Sequence, residues 1–305
     1  MMAVSDNHRT EAPTRRGVHE RLAALPAAGE PVPFDPQRTL PLRIEFIRQL
    51  KRRRTQLVAL VLLLLPILVA IAFKVGGQQT SGGAALVDIA TTGATNFALF
   101  TEFAAIGFLL VVIVALFCGD TVASEASWSS LRYLLALPVP RSRLLRQKLV
   151  VSLTLSFGAN LLLPVWGYVV GGLFFGWAPA RSPLGGTFTT SEAVTRLLIV
   201  VGYACIQSLV VAGLAFLLGV MTDAPLGAVG GAVLLVVVSN ILDSISALDP
   251  YRQYLPTHYQ YSWLDALGPT VVWDDMLRGI GLSLVYAAVF FGAAWVRFQR
   301  KDITS

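Results

Sequence analysis

The sequence predicts an all-α, polytopic membrane protein, and three observations carry that reading. Of its 305 residues, 55% are hydrophobic and only 14% are Asp, Glu, Lys or Arg. A soluble domain carries about 25% charged residues. Mean hydropathy is +0.65. Apolar runs close to the roughly 20 residues needed to cross a bilayer as a helix recur six times along the chain. So few charges cannot cover a soluble surface of this size, and a disordered chain needs the opposite balance. Alternating polarity is absent from the runs, which argues against a membrane β-barrel.

Residues 1–37 mix Pro, Ala, Arg and acidic residues without periodicity and read as a disordered tail. No apolar stretch follows Met1 early enough to be a secretory signal, so the first span is expected to stay in the mature chain. The membrane domain is expected over 38–305. It starts with an amphipathic helix: Leu42, Phe46, Ile47 and Leu50 share one face, and Glu45, Arg48, Gln49 and Arg52 the other. Arg43 interrupts the pattern, and its long stem allows it to snorkel. Such a helix suits a membrane surface. Arg52, Arg53 and Arg54 follow as an interfacial anchor at the phosphate level. A plain stop-transfer basic cluster is the competing reading, and nucleic-acid binding by these basic residues is disfavoured because a span follows at once.

The six spans are expected at 57–73, 98–118, 149–175, 197–220, 226–242 and 280–296, with Pro66 inside the first and Pro164 inside the third. Only Met221 to Pro225 links the fourth and fifth, which makes those two antiparallel neighbours. With the N-terminus inside, 19 Lys and Arg residues fall on the inner side and 5 on the outer. That asymmetry places both termini in the cytoplasm. Cys118 and Cys205 both lie in apolar runs and read as small buried hydrophobes.

The inner stretch 119–148 carries the most information. Helical character runs to Leu137, with Leu131, Leu134 and Leu135 as an apolar stripe, and Pro138 and Pro140 end it. A second basic helical run, Ser142 to Lys148, leads into the third span. A short helix pinned outside the membrane by a Pro-x-Pro turn is suited to carry a push from a soluble partner to spans two and three.

The order of residues is Glu125, then Ser-Leu-Arg-Tyr-Leu-Leu at 130–135, Pro-Val-Pro-Arg at 138–141, Leu144-Leu145 and Lys148. It resembles the cytoplasmic coupling segment of ABC-2 type exporter permeases, which typically read Glu, a Gly-Thr-Leu-like triplet, a Leu-Leu pair, a Pro-Val-x-Arg turn and a Lys. Ser129-Ser130-Leu131 stands where Gly-Thr-Leu is usual, keeping small, hydroxyl and leucine character. The basic helix, the six spans and the ending Phe298-Gln-Arg-Lys-Asp-Ile303 extend the resemblance over almost the whole chain after the tail.

The resemblance implies the permease subunit of an ATP-driven exporter in the plasma membrane. Two such chains, alike or different, would pair with two cytoplasmic ATPase subunits in contact with membrane lipid. Glu125, Trp128, Leu131, Arg132, Pro138 and Arg141 would form the ATPase-coupling contact. ATP binding would close the ATPase dimer and shift spans two and three through it.

No Gly-x-x-x-x-Gly-Lys-Ser/Thr loop occurs, and no Gly is followed by Lys. Ser81-Gly82-Gly83 lies in an outer loop. The chain is therefore expected not to be an enzyme, with no cofactor of its own; ATP and Mg belong to the partner. A stand-alone six-span channel or membrane-anchored assembly protein is the alternative. Val201-Gly202-Tyr203 superficially matches a potassium filter but lies in a long apolar run, not on a pore loop. An intramembrane protease needs a Ser–His pair or paired Asp in the spans. His8 and His19 are in the tail, His258 is in an outer loop, and Asp120 has no aspartate partner. Three scattered histidines and two separated cysteines make no metal site.

Asn160, Gln207 and Asn240 are candidates for lining a transport path, since polar groups within spans usually face an interior. Interhelical hydrogen bonding is the competing reading. Glu102 is expected at the outer interface. Gly167-x-x-x-Gly171 and Gly227-x-x-x-Gly231 permit close helix packing. Aromatics over 249–273, among them Tyr251, Tyr259, Trp263 and Trp273, read as an interfacial belt.

Overall fold

A chain in hydrocarbon must satisfy its backbone hydrogen bonds internally, and helices do so segment by segment. The computed structural model describes residues 42–76, 85–127, 140–183 and 185–300. The tail over 1–37 and the stretch 128–139 lie outside the described residues. Among the described residues the architecture is helical throughout, with no strand. The helices are α1 (Leu42–Leu50), α2 (Arg53–Gly76), α3 (Ala85–Ile89), α4 (Ala94–Ile106), α5 (Leu109–Ser127), α6 (Arg141–Phe175), α7 (Thr190–Met221), α8 (Pro225–Asp243) and α9 (Asp274–Arg300).

Five of these helices are long and apolar enough to cross a membrane, and a sixth crossing is made if the bent pair α4–α5 counts as one. The chain is a multi-pass membrane protein. The expected spans one, three, four, five and six each fall on one helix. The expected second span, 98–118, is corrected: it is a broken element, with α4 and α5 meeting at a 60° bend. Gly107 sits in the break, where a Cβ would come within 2.6 Å of the Tyr261 hydroxyl. Gln260 donates its Nε2–H to the Ile106 carbonyl at 3.1 Å. The loop between the last two helices packs against the bend, a tertiary contact invisible to local hydropathy.

The two helical prolines are handled differently. Pro66 removes the amide that would bond the Leu62 carbonyl. At the next carbonyl, Leu63, the Trp166 indole donates at 2.8 Å, tying α6 to α2. Pro164 in turn withdraws the helical donor from the Asn160 carbonyl.

The most enclosed span is α7, against which α5, α8 and α9 all pack. α4 packs on α6 through Gly167 and Gly171, where a Cβ on Gly171 would come within 2.8 Å of the Phe97 Cβ. The first expected glycine pair therefore serves packing within the chain. One apolar cluster includes Leu163, Val200, Trp263 and Met276; another includes Val114, Leu145, Phe216 and Phe298. Cys118 and Cys205 are free.

The bundle has two chemically distinct ends. Arg52, Arg54, Asp120, Lys148, Arg297 and Arg300 mark the basic end. Thr222, Asp223 and Ala224 link α7 and α8 there as antiparallel neighbours. At the opposite end the chain between α8 and α9 forms three 3₁₀ turns, Ser246–Leu248, Tyr251–Tyr254 and Ser262–Leu267. The aromatic-belt reading is corrected in part. Trp263 and Tyr259 are buried in the bundle, whereas Tyr251, Tyr254 and Trp273 are exposed. Arg196 on α7 holds this loop. Its Nη1 donates to the carbonyls of Ala266 at 2.5 Å and Gly268 at 2.6 Å, and its Nη2 bonds Pro269 O and Glu192 Oε1. Its guanidinium also lies 4.3 Å from the Phe188 ring centre.

Removing Arg196 orphans several buried carbonyls. Arg196→Ala is expected to lower stability by about 3 kcal/mol. Thermal unfolding in detergent measures it, with the loop over 244–273 becoming the first site of proteolysis. Arg196→Lys recovers little, because an ammonium cannot reproduce the guanidinium fork.

Candidate functional site

The densest group of charged side chains lies at the basic end and draws on four helices. α1 turns its polar face inward: Glu45 and Gln49 are buried, while Leu42, Ile44, Ile47 and Leu50 are exposed. Phe46 packs at the edge of an apolar cluster. Gln49 Nε2 donates to Glu45 Oε1 at 3.1 Å.

Glu125 near the end of α5 and Lys148 on α6 face each other across the start and finish of the 128–139 connection. Lys148 Nζ lies 2.5 Å from Glu125 Oε1, and the two side chains are only 3% and 4% exposed. Lys148 also lies 3.6 Å from Glu45 Oε1. Arg48 Nη2 contacts Glu125 Oε1 and Glu45 Oε2, each at 2.7 Å. Two carboxylates and two cations thus interlock α1, α5 and α6. A buried ion pair holds only when its partners are all in place, since an orphaned charge in a low dielectric is costly.

Burial works against the Glu45 carboxylate. Lys148, then Arg48 and Gln49, outweigh it and hold its pKa below the ordinary 4.5. One turn deeper, Asp120 on α5 takes Arg52 at 3.4 Å and Arg54. The basic triplet therefore divides: Arg52 and Arg54 turn to Asp120, and Arg53 is exposed.

Of the expected coupling residues, Glu125 and Arg141 are described. Arg141 opens α6, and its Nη1 donates to the Gln299 carbonyl at 3.4 Å, joining α6 to the end of α9. Trp128, Leu131, Arg132 and Pro138 lie outside the described residues. Sequence reasoning named Glu125, Lys148, Glu45 and Arg48 but not their mutual pairing, and it missed the pairing role of Asp120. The available signal was that charges of opposite sign stand at the same end of successive spans.

The expected path residues separate. Asn160 and Gln207 line one cavity of about 290 Å³, whereas Asn240 near the end of α8 does not. Ser208, Thr257 and Gln260 add its other polar groups. Most of their hydrogen-bonding capacity is committed. Ser283 donates to Gln207 Oε1, and Gln207 Nε2 donates to the Tyr203 hydroxyl, each at 2.6 Å; Tyr203 donates to Tyr259 O. Asn160 Nδ2 bonds Ser156 O, Ser208 bonds Cys205 O, and Thr257 pairs with Ser239. Gln207 is thus both a cavity residue and an interhelical tie. Glu102 does not sit at an interface: it is fully buried in the bundle, and neither carboxyl oxygen has a hydrogen-bond partner among the described residues.

Breaking the Lys148–Glu125 pair from one side strands a buried charge. Lys148→Met is expected to cost about 3–5 kcal/mol. The double variant with Glu125→Gln should recover part of that loss, a coupling that thermal unfolding of the four-member cycle measures. The lowered Glu45 value also fixes a pH dependence. Its stabilisation is complete above about pH 4.5 and is lost as pH falls through the lower, folded value. Glu45→Gln should flatten the acid side of the stability profile and leave the region above pH 6 parallel to wild type.

Residues 63–304 match the model of a family described as protein of unknown function (DUF2705). No curated protein matches the chain. The match covers most of the chain, from within α2 to the C-terminal end, so the protein belongs to that family.

Proposed function

We propose that the chain is the permease subunit of an ATP-driven exporter of the ABC-2 type, driven by a separate cytoplasmic ATPase. The observation that carries this reading is the interlock of Glu125, Lys148, Arg48 and Glu45 at the base of the segment whose sequence resembles a coupling motif. A partner that pushes on 128–139 needs that segment rooted in something rigid. Here both roots are pinned to each other and to α1, so force on the connection reaches α5 and α6 together.

In this proposal the basic end faces the cytoplasm, which the 19-to-5 charge asymmetry supports. α1 lies along the inner membrane surface of the plasma membrane, with Leu42, Ile44, Ile47 and Leu50 in the lipid and its polar face on the bundle. Trp128, Leu131, Arg132 and Pro138 then contact the ATPase. Glu125 acts one step back, holding the segment's root instead of touching the partner. Arg141 fastens the other root to α9. ATP and Mg are held by the partner, and a second permease chain completes the transporter.

Co-expression with an ATPase that carries a phosphate loop tests this. The two chains should co-purify, and the membrane chain should stimulate ATP hydrolysis. The Leu131→Asp, Arg132→Glu pair should weaken assembly by at least about tenfold without changing the permease melting temperature. Intact assembly and stimulated hydrolysis in that variant would contradict the assignment.

A further inference from the structure

We propose that the cavity beside α7 is a binding site for one hydrocarbon tail of a bilayer phospholipid, entered sideways between α8 and α9. The inference goes beyond the exporter reading and does not need it, since it concerns the membrane chain alone.

Three observations meet at this cavity. The first is depth. Val211 lies about ten residues, or about 15 Å, before the basic end of α7; Leu235 lies as far into α8, and Phe290 as far from the end of α9. The hydrocarbon core of a bilayer is about 30 Å thick, so all three stand near its middle. The second is the gap. α8 and α9 both pack along α7 but meet each other at most marginally. Leu235 on α8 and Phe290 on α9 line the cavity, and Leu235 is 48% exposed. The slot between the helices therefore opens at hydrocarbon depth, where a lipid tail is the molecule present.

The third is chemistry. No charged side chain lines the cavity, and the polar groups on its wall are bonded to neighbouring protein atoms. A charged headgroup would find no counter-ion there and would lose its hydration. An apolar cavity of this size does not hold water well either. An uncharged chain meets neither obstacle. The headgroup stays outside, and only the tail passes the slot to reach the buried Ala204 and Val211.

The test uses the full chain in phosphatidylcholine vesicles containing a phosphatidylcholine with a diazirine near the end of one tail. After irradiation, adducts are mapped by mass spectrometry. The expected result is adducts on buried Ala204 or Val211 as well as on lipid-facing Leu234. Val211→Phe should cut the Ala204 adducts by about fivefold with Leu234 unchanged. Phe290→Ala, which opens the slot without filling the cavity, should raise adducts at Ala204 and Val211 about twofold. Melting temperatures of both variants report whether the bundle is intact.

Adducts on Leu234 with none on Ala204 or Val211 in the wild-type chain would overturn the proposal. So would Ala204 labelling that Val211→Phe leaves unchanged, or cross-linking of two copies through Leu235. If Val211→Phe fails to fold, the Phe290→Ala result decides: no gain over wild type would overturn the sideways route.

Discussion

Burying a charge in a medium with little water is tolerable only when its partner is buried beside it. The basic end of this protein is organised around that constraint. Lys148 and Glu125 are almost wholly withdrawn from solvent, 2.5 Å apart, and Arg48 and Glu45 complete the balance of two cations and two carboxylates. Each of the three helices α1, α5 and α6 supplies a charge that the others need. The short α1, which is too short to be a stable helix alone, is held in place by this demand more than by its own propensity. Glu45 and Gln49 turn toward the bundle, whereas Leu42, Ile44, Ile47 and Leu50 face outward.

The same ion cluster stands at the root of two helices of very different length. α6 is one continuous helix of 35 residues, about 52 Å long, from the ion cluster to the far end. α5, its partner across the 128–139 connection, stops short at the break next to Ile106. In the proposed mechanism a displacement rooted at Glu125 and Lys148 would meet one unbroken helix in α6, whereas α5 ends about 24 Å from Glu125. The cavity begins at that break, where the loop following α8 touches the bend through Gln260 and Tyr261. The charged end and the cavity are joined by packed helices, with α5 and α6 contributing residues to both.

The presence and rough position of the crossing segments were readable from hydropathy, because helices in lipid carry their signal locally, although the helices run several residues beyond the apolar runs. The break in the second of them was not. It depends on a contact between Gly107 and Tyr261, far apart in sequence, and the apolar run itself continues unbroken through it. Glu102 and Trp263 were misplaced for a related reason. Polar and aromatic residues near a span end fit an interface by default, and only the fold of the distant loop turns them inward. At the charged end the participants were visible as residue types, since scarce charges stand out in an apolar chain. Their pairing was not visible, because Glu45 and Lys148 meet only after α1 has folded back against α6. Asn160 and Gln207 shared an interior as their polarity suggested. Asn240 did not, since it lies too near the far end of α8.

The account turns on whether the segment rooted in the Glu125–Lys148 pair is the place where a cytoplasmic ATPase engages. A photo-activated cross-linking residue at Leu131, in the chain co-expressed with a phosphate-loop ATPase, addresses that contact directly. The account predicts a covalent adduct to the ATPase that the Glu125→Gln, Lys148→Met double variant strongly reduces. An adduct to lipid alone, or an ATPase adduct indifferent to the loss of that pair, would contradict it.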